Sequence, residues 1–266
     1  MRVDKRSIIL NSIIKEYLKK GMPISSNELR VKLDIDIAAS TIRVYFKKLS
    51  EEGSITQLHM SSGRIPTNKT LKEYWQKVLT PNKRIKFYDI EKIKKAIKEH
   101  GIYCMIRFYE KSFLKEIINV NERYLILVFD NGEIALKYNK KIETFLKSFI
   151  EYELNDIYKI AYEVGLRELA GKLKSVLIEQ NTIREGEMFL LETSQKYKNE
   201  DLYKYYTNPM IFNSMENRLY FEKIVPEGMM AINQKAQIEN KEANMFCVGY
   251  LQNNFESFLD QISVKE

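Results

Sequence analysis

Between residues 38 and 67 the chain concentrates cations and hydroxyls in an order that suits a polyanion. They are Ser40, Thr41, Arg43, Val44, Lys47 and Lys48, followed by His59, Ser61, Ser62, Arg64 and Thr67. An arginine fork reads guanine, a lysine more often meets phosphate, and a valine methyl can touch the methyl of thymine. Hydroxyls at the start of a helix suit phosphate oxygens. Arg64 and His59 would meet the backbone or the minor groove. Arg2, Lys5 and Arg6 could add phosphate contacts. Plainer roles stand beside these: Val44 as an incidental surface residue, Arg64 in a salt bridge, and Gly63 as the source of a turn conformation.

Two elements must position this set. Ile42, Phe46 and Leu49 recur at helical spacing and define an inward face, so Ser40, Arg43, Val44, Lys47 and Glu51 fall on the outward one. Ser40 and Thr41 are N-cap types, and Gly53 suits the far end. The period then changes: residues 54–58 alternate as a short strand, 61–63 read as a turn, and Pro66 closes a ribbon. A helix followed by a small hairpin is how a winged helix meets DNA. Upstream, residues 7–20 form a helix ended by Gly21, and Ser25 with Glu28 has capping-box spacing for a second. Thr67 can cap a fourth helix over 68–79, with Trp75 as a core residue.

The wording of this stretch is more specific than its pattern. Thr41-Ile42-Arg43, Gly53, and the run from His59 through Gly63-Arg64-Ile65-Pro66-Thr67 resemble the heat-inducible transcription repressor family HrcA. So does Gly21-Met22-Pro23-Ile24-Ser25-Ser26. The resemblance is dense over residues 6–79 and thin beyond them. It departs at Val44, where the family carries Asn, and at Thr70-Leu71-Lys72, where it carries Gly-Tyr-Arg.

Charge follows the same division. Residues 1–84 hold 17 basic and 8 acidic side chains, while the 26 basic and 28 acidic residues beyond nearly cancel. The whole positive excess lies where DNA contact is suspected. No apolar run approaches the ~18 residues of a membrane span, and no signal-peptide core precedes the first helix, so a cytoplasmic protein is expected. Cys104 and Cys247 lie in apolar runs and read as buried, reduced thiols. With His59 and His100 they cannot assemble a zinc constellation at the usual spacing. The run from Gly165 to Gly171-Lys172 brushes against a phosphate loop but has the wrong spacing, with Leu173 where Ser or Thr must hold magnesium. No catalytic, metal or cofactor site is expected, and the chain does not read as an enzyme.

Residues 80–84 form a linker, and the rest changes character. Helices are expected at 89–99 and 254–262. Strands are expected at 102–109, 123–129, 134–138, 229–238 and 243–251, with Asp130-Asn131-Gly132 as a hairpin turn. Residues 113–118 read as a short helix or turn, 142–177 as one long helical stretch, and 188–193 as a strand. The fold class is therefore multidomain α+β. The resemblance implies an N-terminal winged helix-turn-helix over 1–80 and a GAF-like α+β dimerisation domain over 85–138 and 186–266. A mainly helical insertion would occupy 139–185. It also implies a repressor of chaperone genes that binds double-stranded DNA at an inverted-repeat operator as a homodimer. That repressor would be inactivated by heat and assisted by the chaperonin GroEL. A ligand-sensing winged-helix regulator and a winged-helix protein adaptor are the alternatives.

Overall fold

The computed structural model describes residues 4–59, 62–81, 84–87, 89–179 and 181–263. Its first helix, α1 (Lys5–Lys20), opens on the Asp4 carboxylate, which accepts from the backbone of Arg6 and Ser7, and closes on Gly21 in the left-handed region. Helix α2 (Ser26–Lys32) begins with the complete capping box of Ser25 and Glu28. Helix α3 (Ala39–Glu51) buries Ile42, Phe46 and Leu49. Its cap is Ala38, without a side-chain bond, so Ser40 and Thr41 lie inside the first turn. The ladder starts early because the Ile42 N–H already reaches the carbonyl of Ala38.

The hairpin is shorter than expected: β1 (Ile55–Thr56) pairs antiparallel with β2 (Ile65–Pro66). It is extended by a bridge between Arg64 and Ile24, which exchange backbone hydrogen bonds of 2.8 and 3.0 Å. Ile24 thus ties the turn before α2 to the hairpin, and Ile9, Ile13, Leu29, Ile42, Leu49 and Ile55 fill the core between them. Helix α4 (Asn68–Val78) follows, capped by Thr67.

Beyond residue 84 a mixed sheet dominates. It runs β3 (Ile85–Phe87), β10 (Met229–Ile238), β11 (Lys241–Tyr250), β4 (Tyr103–Phe108) and β8 (Thr182–Glu185), with β9 (Arg218–Tyr220) also on β10. The β10–β11 hairpin turns on Glu239 and Asn240, both at positive φ. Strand β10 alternates less than expected because both faces of the sheet are covered. One face packs on α5 (Ile90–His100), α11 (Phe255–Ile262), α4 and the end of α1. The other packs on α9 (Glu187–Lys196), α10 (Asp201–Thr207) and a 3-10 turn at Pro209–Asn213.

A second sheet stands apart. Strands β5 (Leu114–Val120), β6 (Tyr124–Phe129) and β7 (Gly132–Lys137) form a meander. It packs on α6 (Lys140–Lys147), α7 (Leu154–Glu163) and α8 (Arg167–Glu179) around Leu125, Leu127, Leu146, Ile157 and Leu173. The strands before residue 138 and the helices after it therefore share one cluster.

Several sequence expectations are corrected here. Residues 113–118 are strand; a register shift between Leu114 and Glu116 masks the alternation. The long helical stretch is three helices, broken where Glu151 and Gly165 take positive φ. Residues 188–193 are helical, with Leu190, Thr193 and Ser194 inward at helical spacing, and the strand lies just upstream as β8. Gly171 sits inside α8, and the Lys172 ammonium donates to the Ala135 carbonyl. Cys104 and Cys247 are buried as expected, but they are joined as a disulfide across β4 and β11 instead of remaining reduced. Being directly opposite in an antiparallel pair is what brings them together, at a sequence separation of 143.

Candidate nucleic-acid interface

The outward face of α3 carries Ser40, Arg43, Val44, Lys47 and Lys48, all exposed, and Val44 keeps 55% of its surface in solvent. Thr41 is half-buried. Within the helix, Lys47 reaches Glu51 at 3.9 Å and the Lys48 ammonium lies 5.9 Å from the ring of Tyr45. Both contacts are loose and solvent-exposed, which leaves the cations available to a stronger anion.

Arg43, Lys47 and Ser50 of α3 form one wall of a cleft of about 450 Å³. Ser25 and Ser26 at the start of α2 line it as well, and Ser62, Gly63 and Arg64 of the hairpin close it. Three of the cations singled out from sequence thus converge on one groove. Among the described residues the Arg64 Nε is buried without a hydrogen-bond partner. Glu51 also lines the cleft, so the groove is basic but not uniformly so.

Other candidates have structural duties. The Ser62 hydroxyl accepts from the His59 backbone N–H at 3.0 Å and donates to the His59 carbonyl at 2.8 Å, which ties the hairpin tip. His59 itself is exposed at that tip. The Thr67 hydroxyl donates to the Gly53 carbonyl at 2.9 Å and accepts from the Thr70 N–H. Its role is to close the hairpin and cap α4. Ser61 and Arg2 lie outside the described residues. Arg6 forms an ion pair with Glu52, fixing the start of α1 to the end of α3, while Lys5 is exposed.

Gly63 acts by a different route from the one expected. Its φ is not positive; instead, a Cβ there would overlap the Ile24 carbonyl and stand 2.8 Å from the Ile24 nitrogen. Only glycine allows the hairpin to pass so close to the turn before α2. Ser25, Ser26 and Ser50 were missed as lining residues. The only signal for the first two was a capping box, which reads as helix chemistry and not as a groove wall. The Ser25 backbone N–H holds the Glu28 carboxyl below the usual range, and the hydrogen bond from Arg6 does the same for Glu52.

The HrcA C-terminal domain family matches residues 75–266, the region where the resemblance in sequence motifs is thin. The heat-inducible transcription repressor HrcA of Helicobacter pylori is 29% identical over 264 residues, covering 99% of this chain and 96% of that protein. HrcA of Thermotoga maritima is 27% identical, covering 92% of this chain and 81% of its own length. Among solved structures, a crystal structure titled as a hypothetical protein matches with a TM-score of 0.55 at 21% identity, over 98% of this chain and 96% of that one. Its likeness is one of fold. A family match over residues 75–266, with relatives aligned along nearly the whole chain, shows that the protein belongs to the HrcA family of heat-inducible transcription repressors.

Proposed function

We propose that this repressor binds double-stranded DNA through its first 80 residues, acting as a winged helix-turn-helix with α3 in the major groove and the β1–β2 hairpin on the backbone or minor groove. The observation that carries this reading is the convergence of Arg43, Lys47 and Arg64 on one cleft between α3 and the hairpin. The part of the chain that supplies them holds all of its positive excess. Arg43 reads a base edge, Lys47 meets phosphate, and Val44, Lys48 and Ser40 flank the contact. His59 reaches outward from the tip.

One such unit reads only a few base pairs, so a specific operator calls for a homodimer on an inverted repeat. The operator lies before chaperone genes, heat lowers its occupancy, and GroEL assists recovery of the active form in the cytoplasm. The six-stranded sheet serves as the GAF-like domain, and the unit inserted between β4 and β8 comprises β5–β7 with α6–α8. Marginal stability of the domains beyond residue 84 explains inactivation: losing about 1–2 kcal/mol changes the folded population several-fold.

A mobility-shift titration tests this. A chaperone-promoter inverted repeat is compared with scrambled DNA at two salt concentrations, for the native chain and Arg43→Ala. Preference for the repeat that collapses in the variant is expected. Equal, weak binding to both DNAs overturns the reading.

A further inference from the structure

Cys104 on β4 and Cys247 on β11 face each other in register, with Cα atoms 4.2 Å apart, and are bonded through their sulfurs. They are 1% and 0% exposed. The loop they close spans 143 residues and contains the entire β5–β7 and α6–α8 unit. Their cluster also holds Phe255 and Phe258 of α11, Leu71, Tyr74 and Trp75 of α4, and Tyr17 of α1. The bond therefore staples the same core on which α1 and α4 rest.

We propose that the Cys104–Cys247 pair is a redox-dependent lock that sets the temperature at which this repressor unfolds. Oxidised, the bond shortens the unfolded chain's effective loop and lowers its entropy, an effect that grows with loop length. Reduced, the two cysteines remain in the core as small apolar side chains and the constraint on the unfolded state is gone. Closure is a thiol–disulfide exchange with a low-molecular-weight disulfide such as glutathione disulfide. One cysteine thiolate attacks it and expels a glutathione thiolate; the second cysteine thiolate displaces the other. Two protein thiols are oxidised, one glutathione disulfide is reduced to two glutathiones, and the protons pass to solvent or to the departing thiolates.

Burial makes the state persistent. Neither sulfur meets a small thiol while β4 and β11 are paired, so exchange occurs during folding or when heat parts the two strands. The redox condition met at folding is carried forward until the next heating. This inference does not depend on how DNA is read, because its readout is the stability of the full chain.

The test uses the full chain refolded with glutathione disulfide and, separately, with excess dithiothreitol. Alkylation in denaturant without added reductant, read by mass, is expected to label neither cysteine in the first sample and both in the second. Thermal unfolding by circular dichroism is expected to be about 5–15 °C higher for the oxidised chain. In a Cys104→Ala/Cys247→Ala variant the two refolding conditions should give the same melting temperature. Two alkylatable thiols in the protein refolded with glutathione disulfide, or one melting temperature for both redox states of the native chain, overturns the proposal.

Discussion

The indole Nε1 of Trp75 donates a 2.8 Å hydrogen bond to the carbonyl of Leu251, 176 residues away, inside a fully buried contact. Around it, the ring of Trp75 meets Tyr74 and Phe255 edge-on, at 5.1 and 5.9 Å. The Tyr74 hydroxyl donates to Glu256 and the Tyr17 hydroxyl to Gln252, each at 3.0 Å. Helices α1 and α4 thus dock on the short segment that joins β11 to α11 and on the first turn of α11. Helices α1 and α4 share one hydrophobic cluster with the large sheet, and heat acting on the sheet acts on their support.

Trp75→Phe should separate stability from DNA contact. The substitution keeps an aromatic ring but leaves the buried Leu251 carbonyl without its donor, a loss of about 1–3 kcal/mol. The melting temperature should fall by several degrees in circular dichroism. Affinity for DNA well below that temperature should stay as in the native chain, because Trp75 lies in the other cluster from α3. A loss of affinity in the cold would mean that α4 transmits its position to α3.

Two glycines in the same hairpin region should respond in opposite ways. Gly63→Ala drives a Cβ into the backbone of Ile24, so the Ile24–Arg64 bridge must open and the hairpin must move. Affinity for the inverted repeat should fall on the order of tenfold, as for the loss of a specific contact. Gly53→Ala meets no atom within 4 Å but places alanine at a φ of 70°. It should cost about 1–2 kcal/mol in stability and leave affinity in the cold nearly unchanged.

The sequence made legible whatever was local. The α3 face, the Ser25–Glu28 capping box, the cap of α4 and the β10–β11 hairpin all depend on residues within a few positions of each other. Long-range pairings were not legible. Nothing in the local text of Gly63 names Ile24, and nothing around Cys104 names Cys247. The β5 strand hid behind its register shift, and the helices from 140 to 179 read as one because Glu151 is not a residue that announces a left-handed break. At the candidate interface the sequence placed the polar residues on one helix and one hairpin, but it did not show which hydroxyls the hairpin's own backbone takes up. Ser62 looks like Ser40 in sequence, yet its hydroxyl is taken up by the His59 backbone, and Thr67, legible as the cap of α4, also donates to the Gly53 carbonyl.

Acid should loosen the N-terminal helices first. Glu28 and Glu52 are both held below their ordinary value of 4.5, by the Ser25 backbone and by Arg6 respectively. A depressed carboxyl stabilises the fold above its unfolded value and loses that contribution as pH falls through the folded one. Melting temperature should therefore be flat above about pH 5 and decline below about pH 4.5. Glu52→Gln should lower the plateau and make the decline shallower. An identical acid slope in native chain and variant would show that the Arg6–Glu52 pair does not form in solution.

Salt dependence distinguishes the cations from the hydroxyls at the interface. Among the described residues Lys47 has a loose contact to Glu51, and on the proposed reading it meets a phosphate and releases a counterion. Lys47→Ala should weaken binding to all sequences about equally and reduce the slope of log affinity against log salt by about one. Thr67→Ala removes the cap of α4 and the bond to the Gly53 carbonyl, at a cost of about 1 kcal/mol in stability. It should leave the salt slope unchanged, because the hydroxyl neutralises no phosphate charge. If Thr67→Ala changed the slope and Lys47→Ala did not, the phosphate backbone would run along the base of the hairpin and not along α3.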